Sequence, residues 1–178
     1  MAYTAKDGYT IEDMLHFGYG HIDTARALFE DDPAFLDSAG YLVHLGVEII
    51  LKAWHLAWFG QFDNTHDVIA LFKAIKEKDK SIDIGAANET FLTDLDKFYL
   101  LRYPQRKGGS VEVGSDQLKH LDNLLDSLWQ KMPQELVGAY EKIDPHKKGG
   151  RVLMKKRIVD DKATDNSAGK DRPKPAPF

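Results

Sequence analysis

The stretch Tyr41–Phe62 constrains the fold more than any other part of the chain, because it is apolar at almost every position. As a helix it is long enough to span a bilayer. Four polar residues interrupt it, namely His44, Glu48, Lys52 and His55. Ionised side chains at the middle of a membrane are strongly disfavoured. The N-terminus also lacks the pattern of a signal peptide. We therefore expect a buried core helix in a cytoplasmic protein with no membrane partner.

These four polar side chains fall within an arc of about 80° on the helix, and most of its remaining circumference is apolar. Three interpretations of this polar stripe remain open. The first is a solvated face with charge pairs four residues apart, such as Glu48 with Lys52. The second is the floor of a groove that binds an anion or a base. The third is a metal site that starts from His44 and Glu48. A second ligand pair at such spacing is missing nearby, so no metal or other cofactor is predicted.

The rest of the chain has helical periodicity broken by short polar segments. The predicted helices cover about 11–31, 33–59, 66–78, 89–103 and 116–132, with a short one at 135–142, and loops lie at 61–65 and 81–87. Their expected N-caps are Thr10, Asn88 and Ser115, and Gly60 is the expected stop of the second helix. Gly40 and Gly46 inside that helix predict close packing against a neighbour. The predicted class is all-α, an antiparallel up-and-down bundle of about five helices.

Charge divides the chain into an acidic body and a basic tail. Residues 1–145 carry 14 Lys and Arg against 24 Asp and Glu, whereas residues 146–178 carry ten against four. We expect a helical bundle over 1–145 and a basic, partly disordered tail over 146–178. The chain has no cysteine, which excludes disulfides, thiolate metal sites and a Cys nucleophile.

A second candidate cluster lies at the end of the fourth predicted helix, where Arg102, Tyr103, Arg106 and Lys107 come close together. Arginine binds phosphate through its planar fork, and tyrosine can stack on a base. The alternative is ordinary capping of a helix C-terminus by cations. His66 is a further candidate, and its alternative role is that of a capping or packing residue at the start of the third helix.

Three motifs come in a fixed order and carry a resemblance. They are Gly46–Ala53, with Glu48 and Lys52 four apart, then Thr65-His66-Asp67 at a helix start, then Arg102-Tyr103-Pro104 at a helix end. Over about residues 10–132 the chain resembles the HEPN family (higher eukaryotes and prokaryotes nucleotide-binding). The resemblance implies a helical bundle that works on nucleotides or RNA. It also implies a setting beside a nucleotidyltransferase or within toxin–antitoxin and phage-defence systems.

The chain departs from the ribonuclease branch of that family, in which a His follows an Arg after four to six intervening residues. For Arg102 these positions hold Lys107, Gly108 and Gly109, and no other Arg meets the spacing. Without such a His, the ribose 2′-OH lacks its usual proton acceptor. We therefore predict no confident catalytic residue. The predicted ligand-contacting residues are Glu48, Lys52, His66, Arg102, Tyr103, Arg106 and Lys107.

Three functions follow as hypotheses. The first is a non-catalytic module that binds a nucleotide, RNA, or a partner nucleotidyltransferase or antitoxin. The second is an atypical metal-independent ribonuclease toxin that uses His66 or His120 with Arg102. The third is a structural adaptor that docks through its basic tail.

A homodimer is also predicted, partly from the resemblance. The second reason is that Trp54, Trp58 and Trp129 add more large apolar side chains than one small core readily hides.

Overall fold

The computed structural model describes residues 1–31, 35–102, 113–114 and 116–143. The described α-helices are α1 Ile11–Asp31, α2 Leu36–Phe59, α3 Val68–Lys78, α4 Ala86–Asp96, α5 Asp116–Lys131 and α6 Gln134–Ile143. Two short strands, β1 (Ala2–Thr4) and β2 (Gln61–Asp63), and 3₁₀ segments at Ala5–Asp7 and Lys97–Arg102 accompany them. The predicted all-α class is confirmed. The up-and-down order stays a prediction. The division from the tail also stays a prediction, since residues 146–178 lie outside the described residues.

Helix α1 begins and helix α2 ends at the residues that the sequence predicts, and local capping interactions explain both. The Thr10 hydroxyl accepts a hydrogen bond from the Asp13 amide at 3.1 Å, which satisfies one of the free donors at the start of α1. Gly60 follows α2 with φ of 70° and donates its amide to the Leu56 carbonyl at 3.0 Å. Glycine adopts this left-handed conformation without steric cost, so it ends the helix.

The prediction that α3 begins at His66 is wrong. Asp67 caps α3 instead, because its carboxylate accepts the Ala70 amide at 2.7 Å. The Val68 amide binds the Asp96 carboxylate at 3.0 Å, so the start of α3 is tied to the end of α4. His66 is thereby left in the connection before the helix, free to turn towards α2.

The start and end of the fourth helix also differ from the prediction. It begins at Ala86, after Gly85 with φ of 81°, rather than after Asn88. The side-chain amide of Asn88 donates to the Ser127 hydroxyl at 2.8 Å, a contact that joins α4 to α5. After Asp96 the backbone tightens into the 3₁₀ segment.

The short sheet was not predicted, and the predicted loop at 61–65 is wrong for residues 61–63. Strands β1 and β2 pair antiparallel with Tyr3 opposite Phe62. Each strand has three residues, which is too short for an alternating pattern to be recognised in the sequence. The pairing joins the N-terminus to the end of α2.

Helix α2 lies at the centre of the fold. It contacts α1, α3, α4, α6, β2 and the second 3₁₀ segment. Its core side chains, among them Val47, Ile50, Leu51 and Trp54, are fully buried. Helix α2 is also the one described helix whose length and hydropathy would fit a membrane span, although most of that window is buried inside the protein.

Gly18 on α1 and Gly46 on α2 allow these two helices to pack closely, which confirms the prediction made from Gly46. A Cβ on Gly46 would lie 2.7 Å from the Gly18 carbonyl oxygen and 2.6 Å from Ile22 Cγ1. A Cβ on Gly40 would lie 2.8 Å from Leu101 Cδ1, so the same helix also approaches the 3₁₀ segment closely. Both positions exclude any larger residue unless a neighbour moves.

The tryptophans give less support to dimerisation than the sequence suggested. Trp54 is fully buried in the core, and its ring centroid lies 5.4 Å from that of Trp58, which is partly buried. Trp129 is also partly buried, 5.3 Å from Tyr140. One chain therefore covers much of their surface, and the dimer stays a prediction.

We expect Gly46→Ala to lower the free energy of unfolding by about 1–3 kcal/mol, because the added methyl meets backbone of α1. Gly20→Ala is the matched control, since a Cβ there meets nothing within 4 Å. It should raise stability by about 0.5–1 kcal/mol through helix propensity. Urea unfolding followed by circular dichroism measures both. Equal stability of Gly46→Ala and wild type would contradict the close packing of the two helices.

Candidate functional site

The polar stripe of α2 is buried for most of its length. His44, Glu48 and Lys52 are 1%, 3% and 6% exposed, so the interpretation as a solvated face is wrong for them. His55 is partly buried, and its Nε2 lies 2.8 Å from the Leu71 carbonyl oxygen on α3. The stripe thus faces the elements that pack on α2.

One carboxylate organises these side chains. Glu48 Oε1 accepts a hydrogen bond from Lys52 Nζ at 2.6 Å, and Glu48 Oε2 accepts one from His66 Nδ1 at 3.0 Å. His44 Nε2 lies 3.3 Å from the same Oε2. We call these four residues the Glu48 cluster. Two partners come from the neighbouring turns of α2, and the third comes from the connection between β2 and α3.

The cluster keeps the Glu48 carboxyl group ionised. Burial raises the pKa of this group, but the neighbouring His44, Lys52 and His66 side chains, with the positive charge of Lys52, outweigh burial. The pKa falls from its ordinary 4.5 to about 2. Glu48 is therefore a permanent anion at neutral pH, and its two oxygens hold their donors in fixed directions.

His44 ties the cluster to the end of α4. Its Nδ1 lies 3.0 Å from the Leu95 carbonyl oxygen, and its ring centroid lies 6.0 Å from that of Tyr99 in the 3₁₀ segment. Tyr99 is 44% exposed, so it lies between the buried cluster and the surface. Tyr99 is not among the ligand-contacting residues predicted from the sequence, because only the packing of the 3₁₀ segment brings it here.

His66 is the exposed member of the Glu48 cluster. Its side chain is 57% exposed, whereas that of Glu48 is 4% exposed. Because Nδ1 is held by Glu48, Nε2 is the nitrogen left for a ligand. A carboxylate that fixes one imidazole nitrogen selects the tautomer and the orientation of the other. Such a histidine can hydrogen-bond a phosphate or base, or move a proton.

Lys52 lies on the other side of the same carboxylate. Its ammonium group is 5.9 Å from the Phe62 ring centroid, within the range of a cation–π contact. Phe62 belongs to β2, so Lys52 links the cluster to the small sheet. The described residues contain no group of three His, Asp or Glu placed to hold a metal ion.

The structure brings together three of the seven residues that the sequence predicts to contact a ligand, namely Glu48, Lys52 and His66. Arg102 ends the second 3₁₀ segment. Tyr103, Arg106 and Lys107 lie outside the described residues, as does Ser115, the predicted cap of α5. His120 is exposed on α5, and its ring centroid lies 5.6 Å from that of Phe91.

Comparison with known protein families gives one result. The family model described as the HEPN domain matches residues 12–131. The match covers two thirds of the chain and includes the Glu48 cluster and Arg102. No curated protein and no solved structure matches the chain.

The low pKa of Glu48 predicts that the folded state loses stability in acid. A carboxyl group whose pKa is lowered in the folded state contributes stability that is fully present above its ordinary pKa and is lost as pH falls. Between pH 4.5 and about 2, Glu48 should account for a loss of about 3 kcal/mol in the free energy of unfolding. Urea unfolding at a series of pH values measures this loss.

Two variants control this measurement. Glu48→Gln should be less stable at neutral pH by about 3–5 kcal/mol, because it leaves Lys52 buried without a counter-charge, and its acid loss should be smaller. Asp94→Asn removes an exposed carboxylate paired with Lys97 at 2.8 Å and should change stability by less than about 1 kcal/mol. If Glu48→Gln kept the full acid dependence of wild type, Glu48 would not be its source.

Proposed function

The chain belongs to the HEPN domain family, and we propose on this basis that it binds RNA or a nucleotide without cleaving it. Family membership points to a function with nucleotides or RNA. The observation that carries the proposal is the contact between Glu48 Oε2 and His66 Nδ1, which fixes an exposed imidazole at the surface. Nε2 of that imidazole contacts the ligand.

The sequence supports binding of the ligand without cleavage. No Arg in the chain is followed by a His after four to six residues. Glu48 is buried and shared between Lys52 and His66, so it acts as an anchor rather than as a base that reaches a ligand. The cluster orients His66, and the ligand gains a positioned hydrogen-bond partner.

The charge of the chain limits where nucleic acid binds. Residues 1–145 carry ten more acidic than basic residues, and phosphate contacts dominate non-specific affinity for nucleic acid. Broad binding over the bundle is therefore disfavoured. Binding is local, at His66 and at residues 102–107, which begin with the last residue of the second 3₁₀ segment, with a further contribution from the basic residues 146–178.

The partners predicted from the sequence belong to this proposal. They are a second copy of the chain, or a nucleotidyltransferase or antitoxin within a defence system. The exposed aromatic side chain of Phe59 gives a second copy apolar surface to cover.

The binding proposal is tested by fluorescence anisotropy with a labelled single-stranded RNA of mixed sequence. We expect His66→Ala to weaken binding about tenfold, since a hydrogen bond to a charged group contributes about 1.5–3 kcal/mol. His120→Ala removes another exposed histidine and should leave Kd unchanged. Equal affinity of wild type and both variants would contradict a role for His66.

One observation favours a second candidate, a metal-independent ribonuclease. A carboxylate bound to one imidazole nitrogen, with the other nitrogen at the surface, is also the arrangement of a general acid–base pair. In such an enzyme His66 would accept the proton of the ribose 2′-OH, and Arg102 would stabilise the charge that develops on phosphate.

Incubation of the purified protein with tRNA in the presence of a chelator separates the two candidates. The binding proposal predicts intact tRNA after prolonged incubation. Specific cleavage that is lost in both His66→Ala and Arg102→Ala, but kept in His120→Ala, would establish the ribonuclease and overturn the binding proposal. Unfolding curves of the variants check that each retains its fold.

A further inference from the structure

A cleft of about 410 Å³ lies between the small sheet, the start of α1 and the middle of α2. Its volume falls within the range of small-molecule sites. The residues that carry the argument are four aromatic side chains and two polar ones, Tyr3, Tyr9, Phe17, Phe62, Lys52 and Asn64. We call this site the aromatic cleft.

Three of the aromatic rings form one wall. The centroids of Tyr3 and Tyr9 are 5.5 Å apart at an interplanar angle of 62°, and those of Tyr9 and Phe62 are 5.1 Å apart at 84°. Tyr3 and Phe62 face each other across the strand pair. Edge-to-face contacts of this kind are favourable, so the wall is pre-formed rather than assembled by a ligand.

Aromatic surface remains available at the cleft. Phe17 is 61% exposed and Tyr9 is 38% exposed. Large exposed aromatic side chains that line a concave site offer a face on which a flat ring can stack, and stacking tolerates many ring types. The exposed aromatic area therefore favours a planar ligand over an aliphatic one.

The polar groups of the aromatic cleft favour an uncharged ligand. Lys52 is 6% exposed, and its ammonium group is neutralised by Glu48 at 2.6 Å. Asp13, which also lines the cleft, adds a negative charge. A phosphate would therefore meet no excess positive charge inside. Lys52 can still donate a hydrogen bond, since an ammonium has three donors, and Asn64 offers a side-chain amide.

We propose that the aromatic cleft binds a nucleobase, an uncharged planar ring with hydrogen-bonding groups on its edge. The base stacks on Tyr9 and Phe17 while Lys52 and Asn64 bind its edge, and the attached phosphates stay outside the cleft. This inference deepens the proposed function and rests on it. Lys52 and His66 bind the two oxygens of one carboxylate, so Glu48 links the aromatic cleft to the exposed His66.

Calorimetric titration of the full chain with adenosine, guanosine, cytidine and uridine tests the proposal without any phosphate. At least one nucleoside should bind although it carries no phosphate. Tyr9→Ala and Phe17→Ala should each weaken that binding about tenfold, because stacking contributes strongly per base. Phe35→Ala removes an aromatic side chain that is 43% exposed and does not line the cleft, so its Kd should match wild type.

Three results would overturn the nucleobase proposal. The first is an absence of heat with every nucleoside. The second is an equal Kd for the Tyr9, Phe17 and Phe35 variants. The third is toluene binding as tightly as the preferred nucleoside, which would show that the cleft is merely apolar. RNA affinity separates the two proposals. RNA binding that needs His66 but not Tyr9 or Phe17 overturns the cleft and keeps the proposed function. Nucleoside binding with no affinity for RNA or nucleotides supports the cleft and overturns the proposed function.

Discussion

Burial of the Glu48 carboxylate is the constraint on which the rest of the structure depends. An ionised group removed from water needs opposite charge and hydrogen-bond donors close by, and a buried pair that loses one partner is strongly destabilised. Glu48 receives them from Lys52 on its own helix and from His66 outside it, with His44 also in contact. The contact with His66 joins the connection before α3 to the centre of α2, so the electrostatic requirement of one side chain positions a whole segment.

Close packing of α1 against α2 provides the second half of the arrangement. The two helices approach through Gly18 and Gly46, where a Cβ on either glycine would lie within about 3 Å of the other glycine's carbonyl oxygen. Phe17, next to Gly18, then lines the same cleft as Lys52. The small sheet closes this cleft by placing Phe62 beside Lys52. The Glu48 cluster and the aromatic cleft are therefore neighbours for a geometric reason, since both are built on one face of α2.

The geometry of the Glu48 cluster suits recognition. Its buried members cannot rearrange without leaving a charge unpaired, which makes the direction of the His66 ring well defined. A ligand that contacts this ring meets a partner already oriented, so less conformational freedom is lost on binding. The same pre-organisation would serve proton transfer. A catalytic role, unlike a binding role, would also need a second catalytic group at the correct distance. The sequence has no His at the spacing from an Arg that the ribonuclease branch of the family uses.

Local patterns in the sequence were sufficient to predict the helical class, the cap at Thr10, the stop at Gly60 and the close approach at Gly46. They also placed Glu48 and Lys52 four residues apart on one side of α2, because helical periodicity and capping depend on neighbours within a few residues. They failed at the starts of α3 and α4. Asp67 caps α3 in place of the predicted start at His66, and Asn88 bonds across to α5 rather than capping its own helix.

The tertiary structure decided what the polar stripe faces and what it touches. Its periodicity is equally compatible with solvent and with a packed neighbour, and only the packing of α3, α4 and the 3₁₀ segment removes it from water. The contact of His66 with Glu48 and the pairing of Tyr3 with Phe62 join residues far apart in the chain. Such contacts form because distant groups satisfy one another's charge, hydrogen bonds and apolar surface, and no short window of sequence contains both partners.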